Sequence, residues 1–151
     1  MTNANSRNAI QQYSQTKTKA GVESASPHRL IQMLLDGALE KVSMAKGAID
    51  RGDINEKGTL IGWAISIIDG LNASLDKESG GEIAENLSSL YEYMQTRLLA
   101  ANLEGNAEIL DEVSNLLKTI KSAWDEIPKE HHTTTEDLST SVSSSVTQVT
   151  A

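Results

Sequence analysis

Residues 58–75 read Gly-Thr-Leu-Ile-Gly-Trp-Ala-Ile-Ser-Ile-Ile-Asp-Gly-Leu-Asn-Ala-Ser-Leu, with Asp69 as their single charged side chain. At about 100° per residue, Leu60, Ile61, Ala64, Ile68, Leu71 and Leu75 fall within one arc of roughly 100°, the width a helix buries in a bundle core. Ile65 lies beyond one edge of that arc. Trp63 and Ile67 lie beyond the other, so the apolar surface widens to roughly 200°. The back of the helix is made of small residues: Gly58, Gly62, Ser66, Gly70 and Ser74 recur every four positions. Each interior glycine costs a helix about 1 kcal/mol against alanine, and small side chains let another backbone come close. Either a segment of this chain packs on that stripe, or the stripe is part of a seat for a partner helix.

Upstream, Ser26-Pro27 is a helix start, with serine as the cap and proline at the first helical position, where its missing N–H costs nothing. The apolar positions Leu30, Ile31, Leu34, Leu35, Ala38, Val42, Ala45 and Ile49 carry this helix to about Arg51, and Gly52 closes it. Asp53 and Glu56 form a capping-box pair for the second helix, which runs to about Leu75. Ser79 and Glu82 repeat that spacing, with Gly80-Gly81 weakening the helix between them. A third helix follows on Ile83, Leu87, Leu90, Tyr91, Met94, Leu98 and Ala101. Asn106 caps a fourth, with Leu110, Val113, Leu117, Ile120 and Trp124 as its stripe and Pro128 as its stop.

Four helices of about twenty residues joined by short links run antiparallel to their neighbours. The expected architecture is all-α: an antiparallel four-helix bundle over residues 25–127. A flexible segment over 1–24 precedes it and carries Ile10 and Tyr13 one helical turn apart in a short amphipathic element at 10–16. The Ser/Thr/Val-rich stretch 128–151 has almost no large apolar residue, cannot offset its ordering entropy by burial, and reads as a disordered tail.

A chain of 151 residues without cysteine excludes a disulfide framework and a thiolate zinc site. The polar start is not a secretory signal, and no run approaches a membrane span, so the expected compartment is the cytoplasm. A net charge of −8 argues against nucleic acid or an anionic membrane as the main partner. His28 reads as a surface or cap residue, and His131 and His132 as part of a solvated tail. No His-Glu-x-x-His, Walker or Gly-x-Gly-x-x-Gly pattern occurs, and no Glu-x-x-His pair of the di-iron bundles. No catalytic, cofactor or metal residue is expected.

Several blocks together resemble one family, the flagellar secretion chaperones (FliS). They are Ala25-Ser-Pro-His-Arg-Leu-Ile-Gln-Met-Leu-Leu-Asp-Gly-Ala-Leu39, Lys57-Gly58, Ala64 to Leu71, Gly80 to Met94, Leu98 to Asn102, and Glu112-Val113 through Ala123-Trp124. The resemblance spans about residues 10–127 in the right order. It implies a four-helix bundle that binds the C-terminal segment of flagellin, keeps it from polymerising early and delivers it to the cytoplasmic domain of the flagellar type III export gate, without enzymatic activity. Ile10-Gln-Gln-Tyr13 matches an N-terminal element that in this family lies over the bundle and influences partner access. Trp63 departs from the lysine expected there.

Ile10, Tyr13, Gly62, Trp63, Ser66, Ile67, Gly70 and Tyr93 are the expected partner-binding residues. An anti-sigma factor or another flagellin-binding regulator is the alternative occupant of the same surface, and self-assembly as a helical subunit is a third reading.

Overall fold

The computed structural model describes residues 25–128. They form four helices: α1 (Pro27–Arg51), α2 (Ile54–Ala73), α3 (Lys77–Glu104) and α4 (Ala107–Asp125). Short links force each helix to reverse against the one before it. α1 packs on α2 and α4, and α3 packs on the same two, which closes a four-membered ring around one core.

Local chemistry sets the helix ends. Ser26 Oγ accepts the Arg29 N–H at 3.1 Å, Asp53 Oδ1 accepts the Glu56 N–H at 3.1 Å, and Asn106 Oδ1 accepts the Glu108 N–H at 2.9 Å. Each such cap contributes about 1 kcal/mol. α1 ends on Gly52 in the left-handed conformation, φ 70°, where a side chain is disfavoured.

Two boundaries differ from the sequence expectation. α2 ends at Ala73, two residues before Leu75, and Ser74 Oγ turns back onto the Leu71 carbonyl at 2.7 Å. α3 begins at Lys77, not after Ser79, because Asp76 is the cap: its Oδ1 accepts the Ser79 N–H at 3.1 Å. The helix then crosses Gly80 and kinks at Gly81, φ 52°, ψ −132°. That backbone conformation is essentially reserved for glycine. Gly81→Ala is therefore expected to destabilise the bundle by about 1–3 kcal/mol, read as a lower urea midpoint.

The core is built from all four helices, with Leu35, Ile61, Ile68, Met94, Leu98, Leu110 and Leu117 fully buried. Ile67 is buried as well, at 1% exposure, together with Gly70. This corrects the expectation that they sit on an open flank. α2 packs on both α1 and α3, so its buried arc is wider than one neighbour requires. His28, expected near the surface, is also buried, its ring stacked on Trp124 with centroids 5.1 Å apart. The Trp124 indole N–H donates to the His28 carbonyl at 2.9 Å, tying the start of α1 to the end of α4.

Polar ties fix the rim. Lys121 to Asp36 at 2.7 Å and Lys46 to Asp111 at 2.8 Å join α1 to α4. Exposed pairs of this kind add little stability and serve mainly to fix register. α2 and α3 are joined differently, through backbone carbonyls: Lys57 Nζ donates to the Asn102 oxygen at 2.8 Å, and Gln95 Nε2 to the Ile65 oxygen at 3.2 Å.

Candidate partner-helix interface

The outward face of α2 carries Thr59, Gly62 and Ala73 exposed, with Ser66 and Asp69 half-buried. A bundle helix normally shows lysine, arginine or glutamate there. Among the described residues nothing lies within 4 Å of where a Gly62 Cβ would stand, and at Gly58 the nearest atom is Asn102 Oδ1 at 3.9 Å. The small-residue stripe is therefore divided. Its first part is open and flanks α3; its later member Gly70 is inside.

Across the α2–α3 seam lies an apolar patch that the sequence reading did not single out. Leu99 is 55% exposed, Leu103 87% and Ile54 73%. The two leucines are four apart and share a face of α3. The Lys57–Asn102 bond holds the first turn of α2, which includes Ile54, beside the last turn of α3. One exposed leucine needs no explanation; three large exposed apolar side chains on two adjacent helices, beside a helix face whose one charge is Asp69, mark a surface suited to a partner. Leu99 and Leu103 fall off the stripe Leu87, Tyr91, Met94, Leu98, Ala101, and that mismatch is the sequence signal that identifies them.

The other expected residues are scattered around the bundle. Trp63 is half-buried on the α1 side, with Lys41 Nζ 5.4 Å from its ring centroid. Tyr93 is exposed, but on the α4 side: its hydroxyl donates to Glu112 Oε2 at 2.8 Å, and Arg97 Nε donates to Glu112 Oε1 at 2.7 Å. Gly62 and Ser66 remain at the α2 surface. Ile10 and Tyr13 lie outside the described residues, as do most of 128–151 and all of 1–24.

The bond from Arg97, then that from Tyr93, holds the Glu112 carboxyl below its ordinary range. Tyr93 is raised by the same bond to Glu112. A carboxylate with a depressed pKa stabilises the fold above its unfolded value, and that contribution disappears as pH falls through the folded value. Glu112→Gln is expected to lower the melting temperature slightly at neutral pH and to match wild type once glutamates are protonated.

Gly62→Ala separates folding from recognition. It occupies an exposed helix interior with no neighbour among the described residues within 4 Å of the added Cβ, so stability should rise by up to about 1 kcal/mol. A partner backbone lying on this face should then bind less tightly, which isothermal titration reads directly.

Among the described residues no group of three His, Asp or Glu side chains is arranged to hold a metal, and no helix is long and apolar enough to cross a membrane. The sequence model of the family described as flagellar protein FliS matches residues 9–131. The chain belongs to the FliS family. The match covers every helix described, and residues 10 and 13 besides. The chain is 54% identical over 119 residues to flagellar secretion chaperone FliSB of Pseudomonas aeruginosa, covering 79% of this chain and 94% of that one. It is 50% identical over 119 residues to flagellar secretion chaperone FliS of Salmonella typhimurium, covering 78% and 88%. With FliS of Vibrio cholerae it shares 40% over 129 residues, covering 85% and 95%. These relatives are named as chaperones.

Proposed function

We propose that this chain is a non-enzymatic cytoplasmic chaperone of the flagellar secretion system whose client is the C-terminal segment of flagellin. FliS membership is the observation that carries the secretion-chaperone role. The surface of the bundle supports the kind of client. An amphipathic segment that is unfolded when alone presents an apolar stripe, and the open α2 face with Ile54, Leu99 and Leu103 beside it offers a complementary one. Covering that stripe keeps client chains from polymerising on one another. Ordering the client costs free energy, so the contact must be extensive, and further stretches of the client wrap beyond this flank. The loaded chaperone then meets the cytoplasmic domain of the export gate.

Purified chain is mixed with full-length flagellin and with flagellin lacking its C-terminal segment. A one-to-one complex with the first and none with the second is expected. Equal binding to both, or to neither, contradicts the proposal.

A further inference from the structure

The apolar flank of the bundle has a complement in this chain's own sequence. Leu138, Val142, Val146 and Val149 recur at spacings of four, four and three. At about 100° per residue they fall within an arc of roughly 80°, one side of a helix. Serine and threonine fill most of the other positions, and no charged residue occurs from 138 to 151. These residues lie outside the described ones. One leucine and three valines among poor helix formers do not order a helix in water; packing against an apolar surface is what does.

The α2–α3 flank is such a surface. Ile54, Leu99 and Leu103 stand exposed, and residues 58–75 carry one charge, Asp69. Nothing among the described residues lies within 4 Å of a Cβ added at Gly62, so another backbone can come close there. An uncharged segment covers this face without removing an ion of its own from water.

The flank is within reach. Arg97 and Tyr93 of α3 meet Glu112 of α4. Asp125, where α4 ends, stands thirteen positions beyond Glu112, about 20 Å along the helix. Leu99 and Leu103 lie about 3 and 9 Å from Arg97 in the opposite direction. The leucines are therefore about 25–30 Å up the bundle from the end of α4 and on the next helix round, about 10 Å across. The nine residues 129–137 span up to about 30 Å when extended, and 138–149 add about 16 Å as a helix.

We propose that residues 138–149 lie as a helix on the α2–α3 flank of their own bundle in the free protein and yield it to the client. The contact is autoinhibitory. The inference deepens the proposed function, and its second half rests on the client using this flank. Tethering holds the segment at an effective concentration on the order of millimolar. A second copy has no such advantage, and its net charge of −8 opposes the encounter.

The chain has no cysteine, so Ser144→Cys in the full chain takes a single nitroxide label. Amide signals of Gly62, Leu99 and Leu103 are expected to lose most of their intensity, while those of Glu40 and Ser43, on α1 across the ring, keep theirs. The paired change Val142→Asp and Val146→Asp should restore the lost signals and leave the helical circular dichroism unchanged. Adding the unlabelled flagellin C-terminal segment should restore them as well. That segment should bind the Asp pair about threefold to tenfold tighter than wild type, as it does when the flank is free in about a third to a tenth of the molecules. Full intensity at Leu99 and Leu103 overturns the inference. So does a loss that arises only between labelled and unlabelled copies, which assigns the flank to a second chain, or a loss produced by a label at Ser14→Cys and not at Ser144→Cys, which assigns it to the N-terminal segment. If the signals are lost but flagellin binds both chains equally, the segment does not compete and the inference falls. If flagellin binds neither chain, the client reading falls, while the contact, read in the free protein, stands.

Discussion

Ile67→Asp and Ile68→Asp are both expected to abolish the cooperative melting of the bundle at physiological temperature. Ile68 is fully buried in the core, and Ile67, one position earlier, is covered to nearly the same degree. Aspartate at either position removes a packed side chain and leaves a carboxylate without a partner in an apolar site. A combined cost above about 4–5 kcal/mol is the class reserved for such changes, against a total stability of about 5–15 kcal/mol for a domain of this kind. Thermal circular dichroism checks both. If Ile67→Asp melts like wild type, Ile67 is not in the core and the buried arc of α2 is narrower than described.

The paired replacement Leu99→Asp and Leu103→Asp should do the opposite. Leu103 is 87% and Leu99 55% exposed, so the bundle should stay folded, losing about 1–2 kcal/mol to the lower helix propensity of aspartate and to two like charges four apart near a helix C-terminus. Client binding should collapse. A leucine fully covered by a partner contributes about 1.5–3 kcal/mol, so losing two partly covered ones predicts at least a hundredfold weaker complex, about 2.7 kcal/mol. Titration calorimetry with the flagellin C-terminal segment reads the loss; melting curves confirm that the bundle stays folded. Unchanged affinity would move the client to another face of the bundle.

The helices were readable because their signals are local. Ser26-Pro27, Gly52, Asp53, Asn106 and the spacing of three and four among the apolar residues each act within one or two turns. The start of α3 was misplaced for a local reason too: two glycines interrupt the pattern, and Asp76, outside the repeated Ser79–Glu82 motif, supplies the cap. The apolar face of α2 was recognised, but its division was not. Periodicity counts the width of an apolar arc; it does not tell how much of that width two neighbours cover. Ile67 and Gly70 are buried, which is a tertiary fact that the width of an arc does not contain. Leu99 and Leu103 are hard to read for the converse reason, since the core stripe of α3 does not include them. Tyr93 and Trp63 stand on other faces, where Glu112 and Lys41 engage them.

The central claim is that the client lies on the α2–α3 flank. A photo-crosslinking residue is placed at position 103, and as a control at position 118 on the exposed face of α4. The complex with flagellin is irradiated and the joined peptides are mapped. The account predicts strong crosslinks from position 103 into the C-terminal segment of flagellin and weak or no crosslinks from position 118. Crosslinks from position 118 with none from 103 would contradict it.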